Sequence, residues 1–298
     1  MKILLSGATG LVGCALVEHL FARGYTLHCL QRHKNDPAKI WDIERLYADK
    51  TEAPFDTVIH LAGENIASGR WTKQKKEAIF NSRINGTRQL VSFLATLDEK
   101  LRPSTFICAS AIGYYGNCGD RLLTESSSPG FGFLAHVCKH WEAQAAKAAE
   151  FGIRVIHLRF GMILSPKGGA LQKMLPAFKL GLGGVIASGK QYMSWISIRD
   201  LCSIVSFVVD SPAIRGAVNV VTPKAIPNRD FTKILGQVVN KPTILPLPAF
   251  LLRLVFGEMA DEMLLPSSRV SPDKLLQSGY SFQDADLKKT LQWCIDES

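Results

Sequence analysis

Lys2-Ile3-Leu4-Leu5-Ser6-Gly7-Ala8-Thr9-Gly10-Leu11-Val12-Gly13 opens the chain, and its reading sets the reading of everything after it. Residues 2–6 are a short apolar run of the buried-strand kind. From Leu11 the interval changes: Val12, Leu16 and Leu20 recur at helical spacing, and Gly24 is placed to end that helix. Gly7, Gly10 and Gly13 fall in the turn between the two elements. Glycine there lets the backbone turn tightly, approach a pyrophosphate and pack helix against strand. The helix N-terminus then aims free N–H groups and the positive dipole end at the phosphates. The expectation is a dinucleotide site at residue 7. A mere tight turn is the alternative, and the strand before and helix after weigh against it.

Outward from this turn, strand-like and helical runs alternate. Strands are expected at 27–30, 56–61, 105–110 and 154–160, and helices at 75–97 and 134–150. Alternation of this kind predicts an α/β fold, a Rossmann doubly wound parallel sheet with helices on both faces. After Gly161 the texture changes. Glycines crowd 168–189, prolines punctuate 223–248, and a further helix (200–210) and strand (217–221) intervene. This predicts a dinucleotide-binding domain of 1–163 and 196–222, with a smaller C-terminal substrate lobe of 164–195 and 223–298.

Composition narrows the partners. The 298 residues are 47% hydrophobic and 20% charged, as in an ordinary globular chain. The formal charge of +9 attracts anions, nucleotides and phosphosugars among them. The basic residues are scattered, the densest group being Lys73, Lys75 and Lys76, so no nucleic-acid partner is expected. Seven cysteines form no CxxC pair, which favours a reducing compartment. No run approaches the roughly 20 apolar residues of a membrane span. A cytoplasmic protein with no membrane partner is expected.

Several ordered motifs carry a resemblance. His60-Leu61-Ala62-Gly63, Ser110-Ala111-Ile112-Gly113-Tyr114-Tyr115-Gly116 and Arg159-Phe160-Gly161 stand at the ends of what would be the fourth, fifth and sixth strands. With the GxxGxxG turn, they resemble the extended short-chain dehydrogenase/reductases. Arg70-Trp71-Thr72, Ser82-Arg83, Trp141-Glu142, Gly168-Gly169-Ala170-Leu171, 178–184, Ser194-Trp195-Ile196 and Gly257-Glu258-Met259-Ala260 make the resemblance narrower. They look like signatures of the atypical members described as nucleoside-diphosphate-sugar epimerase-like, over residues 1 to about 291. The resemblance implies a nicotinamide cofactor and places Leu61, Ala62 and Arg83 near it.

Cofactor choice is read from the end of the second strand. NAD enzymes place an acidic residue there for the ribose 2′-hydroxyl. This chain has Gln31-Arg32-His33-Lys34, and Arg32 offers a planar fork for a 2′-phosphate. NADP(H) is therefore expected, held by Gly7, Thr9, Gly10, Leu11, Val12, Gly13, Gln31, Arg32, Leu61, Ala62, Gly63, Arg83 and Ser110. The superfamily's proton-transfer pair, a Tyr with a Lys four residues later, is missing. Four residues beyond the six tyrosines stand Cys29, Thr51, Cys118, Gly119, Ile196 and Asp284. Aligned on Glu142 or Lys139, the tyrosine position holds Leu134 or Ala135. Ser110, Tyr114, Lys139 and His136 are conceivable substitutes, each with a plain structural alternative, and the catalytic residue stays unassigned. His136 and His140 lie one turn apart but lack a third ligand, so no metal is expected.

Tyr114, Gly184, Gln191 and Trp195 are the expected substrate-pocket residues, with 181–189 and 192–195 lining the cleft. Lys179 and Lys190 would draw a phosphate-bearing small molecule, and Trp195 would offer a flat face. Asp200 is expected to cap the helix that follows. Two functions fit. One is an NADP(H)-dependent oxidoreductase or epimerase-like enzyme on a small substrate, nucleotide-linked compounds included. The other is a non-enzymatic NADP(H)-binding sensor or regulator.

Overall fold

A computed structural model describes residues 1–31, 41, 43 and 55–298. The elements follow in order: β1 (Lys2–Ser6), α1 (Leu11–Ala22), β2 (Thr26–Leu30), β3 (Thr57–His60), α2 (Lys73–Thr96), β4 (Thr105–Ala111), β5 (Leu122–Leu123), α3 (Phe133–Ala146) and β6 (Arg154–Phe160). Then come β7 (Met162–Ser165), α4 (Gly169–Lys179), β8 (Tyr192–Met193), β9 (Trp195–Ser197), α5 (Ile198–Asp210), β10 (Gly216–Val220), β11 (Ile226–Pro227) and α6 (Asn228–Val238). The chain ends with α7 (Ala249–Phe256), β12 (Arg269–Val270), α8 (Asp273–Gln277) and α9 (Leu287–Asp296).

Six strands build the central sheet in the order β10-β6-β4-β3-β1-β2, every pair parallel. The fold is thus the expected Rossmann-like α/β sheet. The strand before His60, counted fourth from sequence, is the third among the described residues. Alternate strand residues feed two cores. Leu4, Val58 and Phe106 pack under α2 and α3 with Leu90 and Trp141. Ile3, Leu5, Ile59 and Ile107 pack under α1 and α5 with Leu16 and Val205. Burial on both faces explains why these strands read as continuous apolar runs.

A third core lies in the C-terminal half, where α4, α6 and α9 enclose Leu171, Phe178, Phe231, Leu235 and Leu291. Leu275 of α8, from the segment expected in the smaller lobe, packs instead into the core beneath α5. No helix among the described residues is long and apolar enough to cross a membrane.

Candidate functional site

Parallel strands bring all their carboxyl ends to one edge of the sheet. β2 lies on one side of β1 and β3 on the other, so the chain leaves β1 and β3 around a crevice at that edge. In open α/β sheets such a switch point is where ligands bind. The Gly7 turn follows β1, and Leu61–Ala62 follow β3. The Leu61 N–H donates to the Ser6 carbonyl at 3.2 Å, fixing one wall against the other.

Two of the glycines are there because nothing larger fits. Gly7 has φ +76°, and a Cβ on it would stand 2.8 Å from the Ala62 nitrogen. A Cβ on Gly13 would stand 2.1 Å from the Gly7 carbonyl oxygen, so α1 can sit this close to the turn only with glycine in its first turn. At Gly10 the geometry differs: a Cβ would meet only the Gly7 oxygen, at 3.4 Å, and beyond it the space is open. Gly10 is also the N-cap of α1, with no side-chain cap and no acidic residue in the first turn. The early N–H groups of a helix have no partner within it. Those of Leu11, Val12 and Gly13 are thus available to a pyrophosphate, and the cradle fits one. Thr9 and Gln31 are exposed at the rim. Arg32 lies outside the described residues.

Arg83 of α2 backs the other wall. Its Nη1 donates to the carbonyls of Glu64 at 3.0 Å and Ile79 at 3.2 Å. The guanidinium carbon would be 3.1 Å from a Cβ on Gly63, so Gly63 lets the 63–64 backbone rest on this cation. Desolvation lowers the Arg83 pKa, with Cys138, Glu64 and Cys108 opposing. Beneath it, His60 is fully buried, its Nδ1 2.6 Å from the Ser6 hydroxyl. Burial, with Arg83 adding to it, pushes His60 down to about 4, so the ring is neutral.

Ser110 ends β4 but does not face an open pocket. It is 3% exposed, and its hydroxyl donates to Glu142 Oε1 at 2.6 Å. Arg159 clamps the same carboxylate with two bonds of 2.8 Å and donates to the Tyr115 hydroxyl at 2.8 Å. Tyr115 donates onward to Asn219 at 2.7 Å, linking α3, β6 and β10. Burial works against the Arg159 charge, but Glu142 outweighs it and the pKa is raised. Burial pushes the Tyr115 phenol up to about 12, against the pull of Arg159. Tyr114, partly exposed, lies with its ring 3.6 Å from the Arg159 guanidinium carbon. On α3, Leu134 packs near Gly113 and Cys138 is buried. Lys139 and His136 are exposed, with His136 stacked on Phe80. His140 is 4.1 Å from His136 between ring centroids. Among the described residues no three His, Cys, Asp or Glu side chains are grouped to hold a metal.

Three expected pocket residues are placed differently. Trp195 is 2% exposed and packs in the third core with Leu164, Leu171 and Phe231; β9 is buried along its length, so its indole fills the lobe and presents no flat face. Gly184 is buried because a Cβ there would fall 1.5 Å from the Leu245 carbonyl oxygen, a close approach of chain to chain. Gln191 is buried and donates to the Ile186 carbonyl at 3.0 Å, bracing its own loop. The helix α5 is capped by Ser197, whose oxygen accepts from the Asp200 N–H at 2.9 Å. Asp200 instead accepts from Tyr280 and from the N–H groups of Gln283 and Asp284.

Sequence reasoning missed Glu262. Its carboxylate accepts from the Phe133 and Leu134 N–H groups, both at 3.0 Å, and so caps α3 from 128 residues or more away. The preceding Gly132 gives α3 no side-chain cap, and that gap was the only signal available.

The sequence pattern of the NAD dependent epimerase/dehydratase family matches residues 3–220. A domain of unknown function, DUF1731, matches residues 247–294. The chain is 38% identical to Epimerase family protein Mb2239 of Mycobacterium bovis over 97% of this chain and 96% of that one. It is 34% identical to Epimerase family protein YfhF of Bacillus subtilis, over 99% and 98%. Among solved structures it is similar to human epimerase family protein SDR39U1, crystallised with NADPH, at 30% identity and a TM-score of 0.88, covering 99% of each chain. A UDP-glucose 4-epimerase from Thermus thermophilus, 18% identical at a TM-score of 0.74, shares the fold.

Proposed function

Because the chain belongs to the NAD dependent epimerase/dehydratase family, we propose that it is an NADP(H)-dependent oxidoreductase or epimerase-like enzyme acting on a small substrate, nucleotide-linked compounds among them. The observation that carries this is the uncapped N-terminus of α1 behind a glycine cradle seated on Leu61–Ala62. The Leu11, Val12 and Gly13 N–H groups hold the pyrophosphate, and Leu61, Ala62 and Gly63 line the opposite wall. The positive end of α1 favours the phosphate charge. Arg83 fixes the 63–64 backbone and places positive charge behind it. Arg32 answers the 2′-phosphate, a reading supported by the NADPH bound to the human relative. When bound, the nicotinamide supplies the hydride step. Tyr114, oriented by Arg159, walls the substrate side.

Titration of the purified protein with NADPH and NADH tests this. NADPH binds more tightly, and Arg32→Asp weakens it about 10- to 100-fold, the loss of a hydrogen bond to a charged group. Equal curves for both cofactors in the parent protein would overturn the reading. A second reading, a non-enzymatic NADP(H)-binding sensor, is favoured by one observation: no tyrosine is followed four residues later by lysine. Oxidation of bound NADPH with a panel of carbonyl compounds and sugar nucleotides separates the two.

A further inference from the structure

Helix α7 is apolar nearly all round, with Arg253 its one charge, yet only one side of it is covered. Leu252 is buried, and Phe256 is partly so. Phe250, Leu251, Leu254 and Val255 form a stripe on the opposite side of the helix, all exposed, Leu254 to 71% and Phe250 to 66%. The patch continues off the helix. Leu247 pairs with Val185 and Ala187 through backbone hydrogen bonds of 2.9 Å, and Gly184 abuts Leu245. This ties 180–187 to 242–247, immediately before α7. Leu180, Leu182, Ile244 and Leu245 are exposed on these joined segments, Ile244 to 82%. A monomer's largest apolar patch is ordinarily about 300–600 Å². Here eight large apolar side chains stand exposed along joined segments. Pro242, Pro246 and Pro248 stiffen the segment that presents them.

The charge around the patch is one-sided. Residues 179–190 and 240–257 contain Lys179, Lys190, Lys241 and Arg253 and no Asp or Glu at all. The acidic residues that follow are already paired, and one of these pairs neutralises Arg253 on α7 itself. Glu258 pairs with Lys76, Asp261 with Arg253, and Glu262 caps α3. Among the described residues, Lys179, Lys190 and Lys241 have no acidic partner. A symmetric contact with a second copy would set these lysines against one another. An anionic partner would neutralise them.

From this juxtaposition we infer that α7 with the 180–182 and 244–245 loops is a membrane-surface contact, which lies on a bilayer rich in anionic phospholipid. The apolar stripe enters the acyl boundary, and the lysine stems lie along it with their ammonium groups at the lipid phosphates. The expectation of no membrane partner rested on the lack of a spanning segment. A helix lying on the surface needs none.

Cosedimentation of the full chain with vesicles tests this, using phosphatidylcholine alone or mixed with phosphatidylserine, at low and high salt. The protein is expected on the mixed vesicles at low salt and released by high salt. The Lys179→Ala and Lys241→Ala changes weaken partitioning about fivefold each. The Phe250→Ser/Leu254→Ser double variant loses at least about tenfold. These side chains are exposed, so the melting temperatures of the variants match the parent's and report intact folding. Three results would overturn the inference: no retention on mixed vesicles, equal retention on both vesicle types at both salts, or a dimer by light scattering that Leu254→Asp splits while vesicles retain neither form.

Discussion

Gly13 and Gly10 are six and three residues from Gly7, yet they do different work. The methyl of Gly13→Ala lands 2.1 Å from the Gly7 oxygen and must push α1 off the turn. Overpacking of this kind costs about 1–3 kcal/mol, so both the melting temperature and NADPH affinity fall. Gly10→Ala meets only a 3.4 Å contact. On the proposed function, its melting temperature holds while NADPH affinity drops, because the methyl enters the space where the phosphate would sit. Equal melting losses in the two variants would contradict this division. His60 gives a pH prediction at the same scale. The ordinary value is 6.5 and the folded value about 4, so between these the unfolded chain holds more protons. Stability is therefore intact above pH 6.5 and falls as the pH drops from 6.5 towards 4, by about 3 kcal/mol. Urea midpoints across that range check it, and His60→Gln flattens the slope. The glycine spacing announced the turn from sequence alone. Nothing in the sequence announced that His60 would be fully enclosed, because enclosure needs Ser6, Trp41 and Phe106 from three other segments.

At the scale of elements, α3 shows how far periodicity reaches. Its apolar spacing placed it at 134–150, close to the observed Phe133–Ala146 and the short 3-10 turn that follows. Its cap comes from Glu262, in a segment that sequence reading could join to α3 by no local rule. Glu262→Ala leaves the Phe133 and Leu134 N–H groups without a protein acceptor. It should cost about 1–2 kcal/mol, in the range of a lost N-cap. Chemical denaturation measures this, and Glu262→Gln should recover part of the loss. No change in either variant would mean that water serves those groups equally well. Helix α5 gives the converse lesson. A cap was expected at its start and is there, but Ser197 supplies it. Asp200, released from that task, ties down 280–284.

For the whole molecule, cofactor binding and stability are linked. A ligand that binds only the folded state adds about 2.7 kcal/mol at 100 times its Kd. NADPH at that excess should raise the melting temperature by about 4 °C, and NADH at the same concentration by less. An identical shift from both would remove the 2′-phosphate from the account. The buried chain Ser110–Glu142–Arg159–Tyr115–Asn219 joins β4, α3, β6 and β10 into one body. It lies at the carboxyl ends of β4, β6 and β10.

The sequence by itself determined the sheet and its glycine turn. Strand burial on both faces, helical intervals and the three glycines are local patterns, and local patterns are what a sequence displays. Only the tertiary structure decided what Trp195, Gly184 and Gln191 do. A tryptophan flanked by Ser194 and Ile196 reads equally as a ligand platform or as core, and it became core because α4 and α6 closed over β9. A glycine reads equally as an approach to ligand or to chain, and at Gly184 the neighbour is the Leu245 carbonyl. The exposed apolar side of α7 belongs with these. Its direction, outward, was set by which side of the helix the rest of the fold left uncovered.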